Sequence, residues 1–139
     1  RIVIGTDFEC GIDGKHAEIF GPFTKQFVWT NWESAEMSKH AMNAWLALSI
    51  TYANELGALC SATGADWLDV EAALRSDNRV GTEAYIHAGL PFGGGHLGRD
   101  VNYLLDMAET HCVEADVIRA IFPSNLAQAK RLGAKREQS

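Results

Sequence analysis

Cysteine is scarce and scattered in this chain of 139 residues: Cys10, Cys60 and Cys112 are its only thiols. Three widely spaced cysteines match no metal-binding spacing and cannot all pair, so reduced thiols and a cytoplasmic setting are expected. The five histidines, His16, His40, His87, His96 and His111, include no pair four residues apart, and no metal site is expected. Positive charge is short: 12 Lys and Arg stand against 18 Asp and Glu, a formal net charge of −6. That balance argues against a nucleic-acid partner or an anionic membrane surface, while a local basic site for an acidic substrate stays open. Long apolar runs are missing too. Asn43, Ser49, Thr51, Asn54 and Glu55 interrupt the longest before it reaches the roughly 20 residues of a membrane span. No signal peptide, low-complexity tract or internal repeat is visible. Neither G-x-G-x-x-G nor GxxxxGK[ST] occurs, so no dinucleotide fingerprint or phosphate loop is expected in this stretch.

What is present is ordinary globular material, 47% hydrophobic and 22% charged. A chain of this length suits one domain and buries about two thirds of its unfolded surface. The opening RIVIGTD is a β-branched run that predicts a strand, beginning abruptly as though cut from something longer. Phe27 to Thr30 predicts a second strand, and residues 14 to 21 a short helix stopped by Gly21-Pro22. The longest element is a helix from Asn31 to Thr63. Thr30 and Glu33 have capping-box spacing, and Gly64 supplies the stop. Its length is roughly 45–50 Å. From Ala41 to Asn54 it carries no formal charge, and AWLAL (44 to 48) is apolar around the full circumference. Such a rod is buried on several sides, more than a domain this small supplies, so self-association along it is predicted. Shorter helices are predicted over Trp67–Arg75 behind an Asp66 cap and over Leu97–His111, with Val101, Leu104, Leu105 and Ala108 on one face. Two more are predicted over Glu114–Phe122 and Ser124–Leu132, separated by Pro123 with Ser124 as cap. The tail AKREQS is expected to fray.

Four groups of residues carry potential chemistry. Lys39 and Asn43, four apart on the long helix, share one face; an ammonium and an amide there can hold a developing oxyanion or position a water. A solvated lysine beside a helix-bridging asparagine is the plain alternative. Gly93, Gly94 and Gly95 permit positive φ and close backbone approach, and their N–H groups can cradle an anion at the following helix start. A simple connector has the same composition. His96, with Arg99 and Asp100 after it, can act as a general base or acid, or as a polar cap. In DNRVG, Asp77 to Gly81, Arg79 suits a phosphate or carboxylate fork, or a surface salt bridge.

In order, RIVIG, AEMSKHAMNAWLA, NELGALCSATGAD, D-x-R-V-G and GLPFGGGHLGRD resemble the central domain of the UDP-glucose/GDP-mannose dehydrogenase family over nearly the whole chain, with one residue inserted between Arg79 and Tyr85. The family pattern is A-E-L-x-K-x-x-x-N-A-F-L-A, N-E, G-A-D and D-x-R-I-G, closing with P-G-x-G-F-G-G-S-C-x-x-K-D. The resemblance implies a mainly α fold. It would be a helical central domain (31–139) built on one long dimer-forming helix, after short strands (1–30) left from a preceding dinucleotide-binding α/β domain. It implies an NAD-dependent oxidation of a UDP- or GDP-sugar C6 alcohol to a carboxylate in two hydride transfers. A fragment of this kind is expected to be inactive alone, with NAD held mainly by a domain absent from it. By the same resemblance Lys39 and Asn43 sit by the reacting carbon, and Arg79 reaches the partner subunit's substrate in a homodimer formed through residues 31–63. Phe92, Gly93 and Gly94 lie against the nucleotide sugar, and Asp100 is the active-site aspartate. Two positions depart from the pattern: His96 stands for the cysteine nucleophile and Arg99 for a lysine. A thiolate forms a thiohemiacetal and then a thioester, whereas imidazole gives a far more labile acyl-imidazole. The alternative is therefore a non-catalytic dimerisation module that has lost this chemistry.

Overall fold

A computed structural model describes residues 1–7 and 18–137 of the chain. The fold is mainly helical, and it divides into two compact units, Arg1–Met42 and Asn43–Ser139. In the first, β1 (Ile2–Gly5) pairs in parallel with β2 (Phe27–Thr30), Ile2 opposite Phe27 and Gly5 opposite Thr30. Both strands are β-branched and aromatic, which suits a pleated, half-buried surface. Gly5 is demanded by space, because a Cβ there would stand 3.0 Å from the Ala35 Cβ. Residues 18–20 are helical; 14–17 of the helix predicted there, with Cys10 and His16, lie outside the described residues.

Helix α1 runs Trp32–Thr63, 32 residues, or about 48 Å. Its cap differs from the predicted Thr30–Glu33 box. Thr30 is held in β2, and the Asn31 Oδ1 accepts the Ser34 N–H at 2.9 Å instead. Gly64, at φ 80°, ends the helix, and the Ala65 N–H returns to the Cys60 carbonyl at 3.0 Å. Helix α2 (Trp67–Ser76) starts on Asp66, whose carboxylate accepts the Leu68 N–H at 2.8 Å. Helix α3 spans Gly95–Thr110, a single turn α4 spans Asp116–Arg119, and α5 spans Ile121–Glu137. Pro123 therefore does not separate two helices. It falls in the first turn of α5, where backbone N–H groups have no intrahelical acceptor, so a missing donor costs nothing. Ser124 is not the cap; its hydroxyl donates to the Glu55 carboxylate. The tail stays helical to Glu137.

The core of the second unit joins Ala44 and Ala47 of α1, Val101 and Leu104 of α3, and Ile121 of α5. On α1, Ala44, Ala47, Thr51, Ala53 and Asn54 are all buried. The remaining stripe, Trp45, Tyr52 and Leu59, repeats every seven residues and is 63%, 50% and 58% exposed. Self-burial thus covers most of the apolar circumference and leaves one face bare. Gly57 marks a close approach on another face, since a Cβ there would stand 2.8 Å from the Ala88 Cβ, whereas Gly133 on α5 has open space. Both substitutions to alanine gain helix propensity, up to about 1 kcal/mol. Overpacking costs about 1–3 kcal/mol. Thermal unfolding is therefore expected to show Gly133→Ala raising Tm and Gly57→Ala lowering it; a rise for both would mean that the 88–90 segment yields freely.

Candidate functional site

The segment from His87 to Gly94 has no regular structure, so its backbone polar groups need partners from elsewhere. Three side-chain amides supply them. The Gly89 N–H donates to the Asn54 Oδ1 at 2.7 Å, and the Asn54 Nδ2 donates to the Leu90 carbonyl at 3.3 Å. The Gln128 Nε2 donates to the Gly89 carbonyl at 2.7 Å. Phe92 is held at both ends, its N–H donating to the Asn125 Oδ1 and its carbonyl accepting from the Asn125 Nδ2, each at 2.9 Å. Its ring packs 6.4 Å from that of Phe122.

After Phe92 the chain makes the glycine turn and enters α3. Gly94 is the helix N-cap at φ 79°, where a side chain would be strained. Gly93 and Gly95 have no such requirement. No protein atom lies within 4 Å of where their Cβ atoms would stand. Nothing within the described residues therefore calls for glycine at these two positions. Because α3 begins at Gly95 rather than Leu97, His96 is inside the helix and does not cap it. Its side chain is exposed, and no side-chain hydrogen bond joins it to another described residue.

One turn further, Asp100 is fully buried at 0% exposure. The Asn43 Nδ2 donates to its Oδ2, and the exposed Arg99 donates from Nε to its Oδ1 at 3.1 Å. A second Arg99 nitrogen, Nη2, lies at 3.1 Å from the same oxygen. A buried carboxylate needs such partners, because leaving it unpaired costs far more than the pair gains. The structure thus joins Asn43, Arg99 and Asp100 across 57 residues of sequence. Phe92, Gly93, Gly94 and His96 stand at the start of the same helix. Lys39 lies in the first unit, exposed, four residues before Asn43 on α1.

Arg79 lies apart from this group. Gly81, at φ 88°, closes the turn with its N–H on the Asp77 carbonyl at 2.8 Å. Arg79 forks onto the Asp77 carboxylate at 3.0 and 2.6 Å, and those hydrogen bonds hold the Asp77 carboxyl below its usual range. Arg79 also lines a groove of about 340 Å³ with Trp45, Tyr52, Val80 and Tyr85. Nearby, burial disfavours the charged form of Glu71, but bonds from Arg75 and His87 outweigh it and lower the carboxyl's pKa. Arg75 in turn donates to the Thr82 and Ala84 carbonyls, tying the 82–87 segment to α2.

The amides Asn54, Asn125 and Gln128 escape sequence reasoning. Their only signal is a polar residue within an apolar stretch and a pair three apart at the start of a helix. Among the described residues no three His, Cys, Asp or Glu side chains cluster as metal ligands, and no helix is long and apolar enough to cross a membrane. Cys60 and Cys112 are free thiols.

Residues 33–127 match the model of the UDP-glucose/GDP-mannose dehydrogenase family, central domain. A UDP-glucose 6-dehydrogenase of Pseudomonas aeruginosa is 33% identical over 135 residues, covering 95% of this chain and 29% of its own. A GDP-mannose 6-dehydrogenase of Azotobacter vinelandii is 33% identical over 117 residues, 84% of this chain and 26% of its own. The solved structure of a UDP-glucose dehydrogenase from Pyrobaculum islandicum superposes with a TM-score of 0.82 at 31% identity, over 91% of this chain and 29% of that one. The chain therefore spans less than a third of the length of these relatives.

Proposed function

We infer that this chain, which belongs to the UDP-glucose/GDP-mannose dehydrogenase family and spans its central domain, is the substrate-side and dimerising part of an NAD-dependent oxidoreductase acting on the C6 alcohol of a UDP- or GDP-sugar. On this reading residues 1–30 end a dinucleotide-binding domain, residues 31–139 form the central domain, and the protein is cytoplasmic. The observation that carries it is the knot of Asn43, Arg99 and Asp100 one helical turn behind an open glycine turn. Asp100 fixes one amide N–H of Asn43 and leaves the other for the reacting oxygen. The family resemblance assigns Lys39 the positive charge for a developing alkoxide. The bare backbone at Gly93 and Gly95 gives a sugar room to lie against it.

NAD accepts the hydride in such a reaction. The described residues do not fit it: β1 and β2 form a lone pair of strands, with no glycine-rich strand-to-helix turn of the kind that holds a pyrophosphate. The chain alone is accordingly read as inactive, and its own part is to bind and orient the sugar. The exposed stripe of Trp45, Tyr52 and Leu59, with Arg79 beside it, supports a homodimer in which Arg79 serves the partner's substrate.

A second reading, a non-catalytic dimerisation module, is favoured by one observation: the position of the family's cysteine holds His96. Assay of the complete protein separates the two. With UDP-glucose or GDP-mannose and NAD, turnover is expected, and Asp100→Asn is expected to lower kcat/KM about 10²-fold by freeing the Asn43 amide. Dimers without turnover of either sugar would select the module. Turnover unchanged in Asp100→Asn would remove the knot from the site.

A further inference from the structure

We propose that Asn54, Asn125 and Gln128 are positioning residues, an amide clasp that sets where the glycine turn stands and so governs binding of the nucleotide sugar; this rests on the function read above. Five hydrogen bonds of 2.7 to 3.3 Å converge from these three side chains on the backbone of Gly89, Leu90 and Phe92. Pro91, between them, has no N–H to satisfy. The clasp is itself oriented. The Arg131 Nε donates to the Gln128 Oε1 at 2.9 Å, which turns the Gln128 amide N–H toward Gly89. Asn54 is 2% exposed and Gln128 is also buried, so neither amide has solvent as a ready substitute partner.

The clasp ends at Phe92 and α3 begins at Gly95, which leaves only Gly93 and Gly94 strung between two fixed points. A turn this short takes its position from its ends. Both ends refer to the same ruler. Asn43 holds Asp100 of α3, and Asn54 holds Gly89 and Leu90. These asparagines are eleven residues apart on α1, three turns, so they return to one face about 16.5 Å apart. Ala47 and Thr51 between them are buried along the same line. One rigid helix thereby spaces the loop against the carboxylate it serves. Rigid placement of this kind decides ligand geometry, since a misplacement of about 1 Å can cost about 10²-fold.

The test uses the complete protein with Asn125→Ala, UDP-glucose and GDP-mannose as the sugars, and amide hydrogen exchange as a second reading. Exchange of the Phe92 N–H is expected to accelerate by at least about tenfold, while Val101 and Leu104 within α3 keep their protection. KM for the sugar is expected to rise about 10- to 100-fold with a much smaller change in kcat, because a binding loop displaced alike in ground and transition state costs uniform binding. Asn125→Asp, which keeps the acceptor for the Phe92 N–H and loses the donor, is expected to protect that amide more than alanine does. Should Asn125→Ala fail to fold, Gln128→Ala, which removes the bond to the Gly89 carbonyl, gives the KM reading, with exchange then read at the Gly89 N–H, expected to accelerate as the segment loosens; unchanged exchange there overturns the clasp in the same way. Unchanged exchange at Phe92 overturns the clasp. Faster exchange with an unchanged KM overturns its role in binding. A wild-type protein that binds neither sugar overturns the function read above, and the exchange readings still decide whether the amides hold the loop.

Discussion

In the complete protein, His96→Ala is expected to leave formation of the sugar aldehyde intact and to slow formation of the acid by about 10²–10⁴-fold, the usual loss on removing a general base. On the function proposed above, Asn43 and Asp100 serve the first oxidation, which needs no thiol. Taking the aldehyde on to an acid needs a nucleophile at its carbon before the second hydride leaves for NAD, and by the resemblance His96 stands where the family has cysteine. His96 can instead activate water to give the hydrate. Its placement suits that role. It is exposed in the first turn of α3, directly after the glycine turn and one turn before Asp100.

The structure also makes the test clean. Gly94 caps α3, so His96 has no capping duty, and its replacement is expected to change stability by no more than about 0.5 kcal/mol. Neither described cysteine can substitute for it. Cys60 is buried on α1, and Cys112 lies beyond the other end of α3, a helix of 16 residues, about 24 Å along its axis. Blocking Cys112 is expected to leave the products unchanged. Mass spectrometry of the products decides. Equal aldehyde-to-acid ratios in wild type and His96→Ala would take His96 out of the reaction, while full acid production by His96→Cys would mean the site still accepts thiol chemistry.

Much of this architecture is written locally. The β-branched run at Ile2–Gly5, the Asp66 cap and the Gly64 stop each act within a few residues, and each appears where the sequence puts it. Pro123 misleads because a breaker signal carries no information on which turn it occupies; in the first turn it breaks nothing. Asn43 and Asp100 both stand out in the sequence, but their bond spans 57 residues and exists only once α1 packs on α3. The same holds for Asn125 and Gln128, whose partners lie 33 and 39 residues away. Their function is to satisfy a loop's backbone, and backbone demand leaves no mark in the loop's side chains. In AWLAL the uniform apolarity announces burial on all sides without saying which side the chain itself covers.

That uncovered side sets the last expectation: the chain forms a homodimer through α1, and Trp45→Glu with Tyr52→Glu converts it to a folded monomer. Trp45 and Tyr52 are 63% and 50% exposed, so within one chain they contribute little to stability, and charge there is tolerated when nothing covers it. Leu48 is a poor choice for this purpose, because it packs against the core and its replacement would unfold the chain as readily as separate it. In a two-fold dimer each side chain is buried twice. Covering each Trp or Tyr is worth about 1.5–3 kcal/mol, so losing one such contact per subunit amounts to about 3–6 kcal/mol, or about 10²–10⁴-fold in Kd. Both substitutions together add the cost of desolvating carboxylates and are expected to abolish the dimer at micromolar concentration. Arg79, on the groove beside these aromatics, offers an internal check. On the function proposed above, in which Arg79 serves the partner's substrate, the double variant of the complete protein is expected to lose sugar turnover as well. Sedimentation velocity with circular dichroism reads the outcome. A wild-type chain that stays monomeric at high micromolar concentration would sink the interface, and a double variant that remains dimeric would place it on another face.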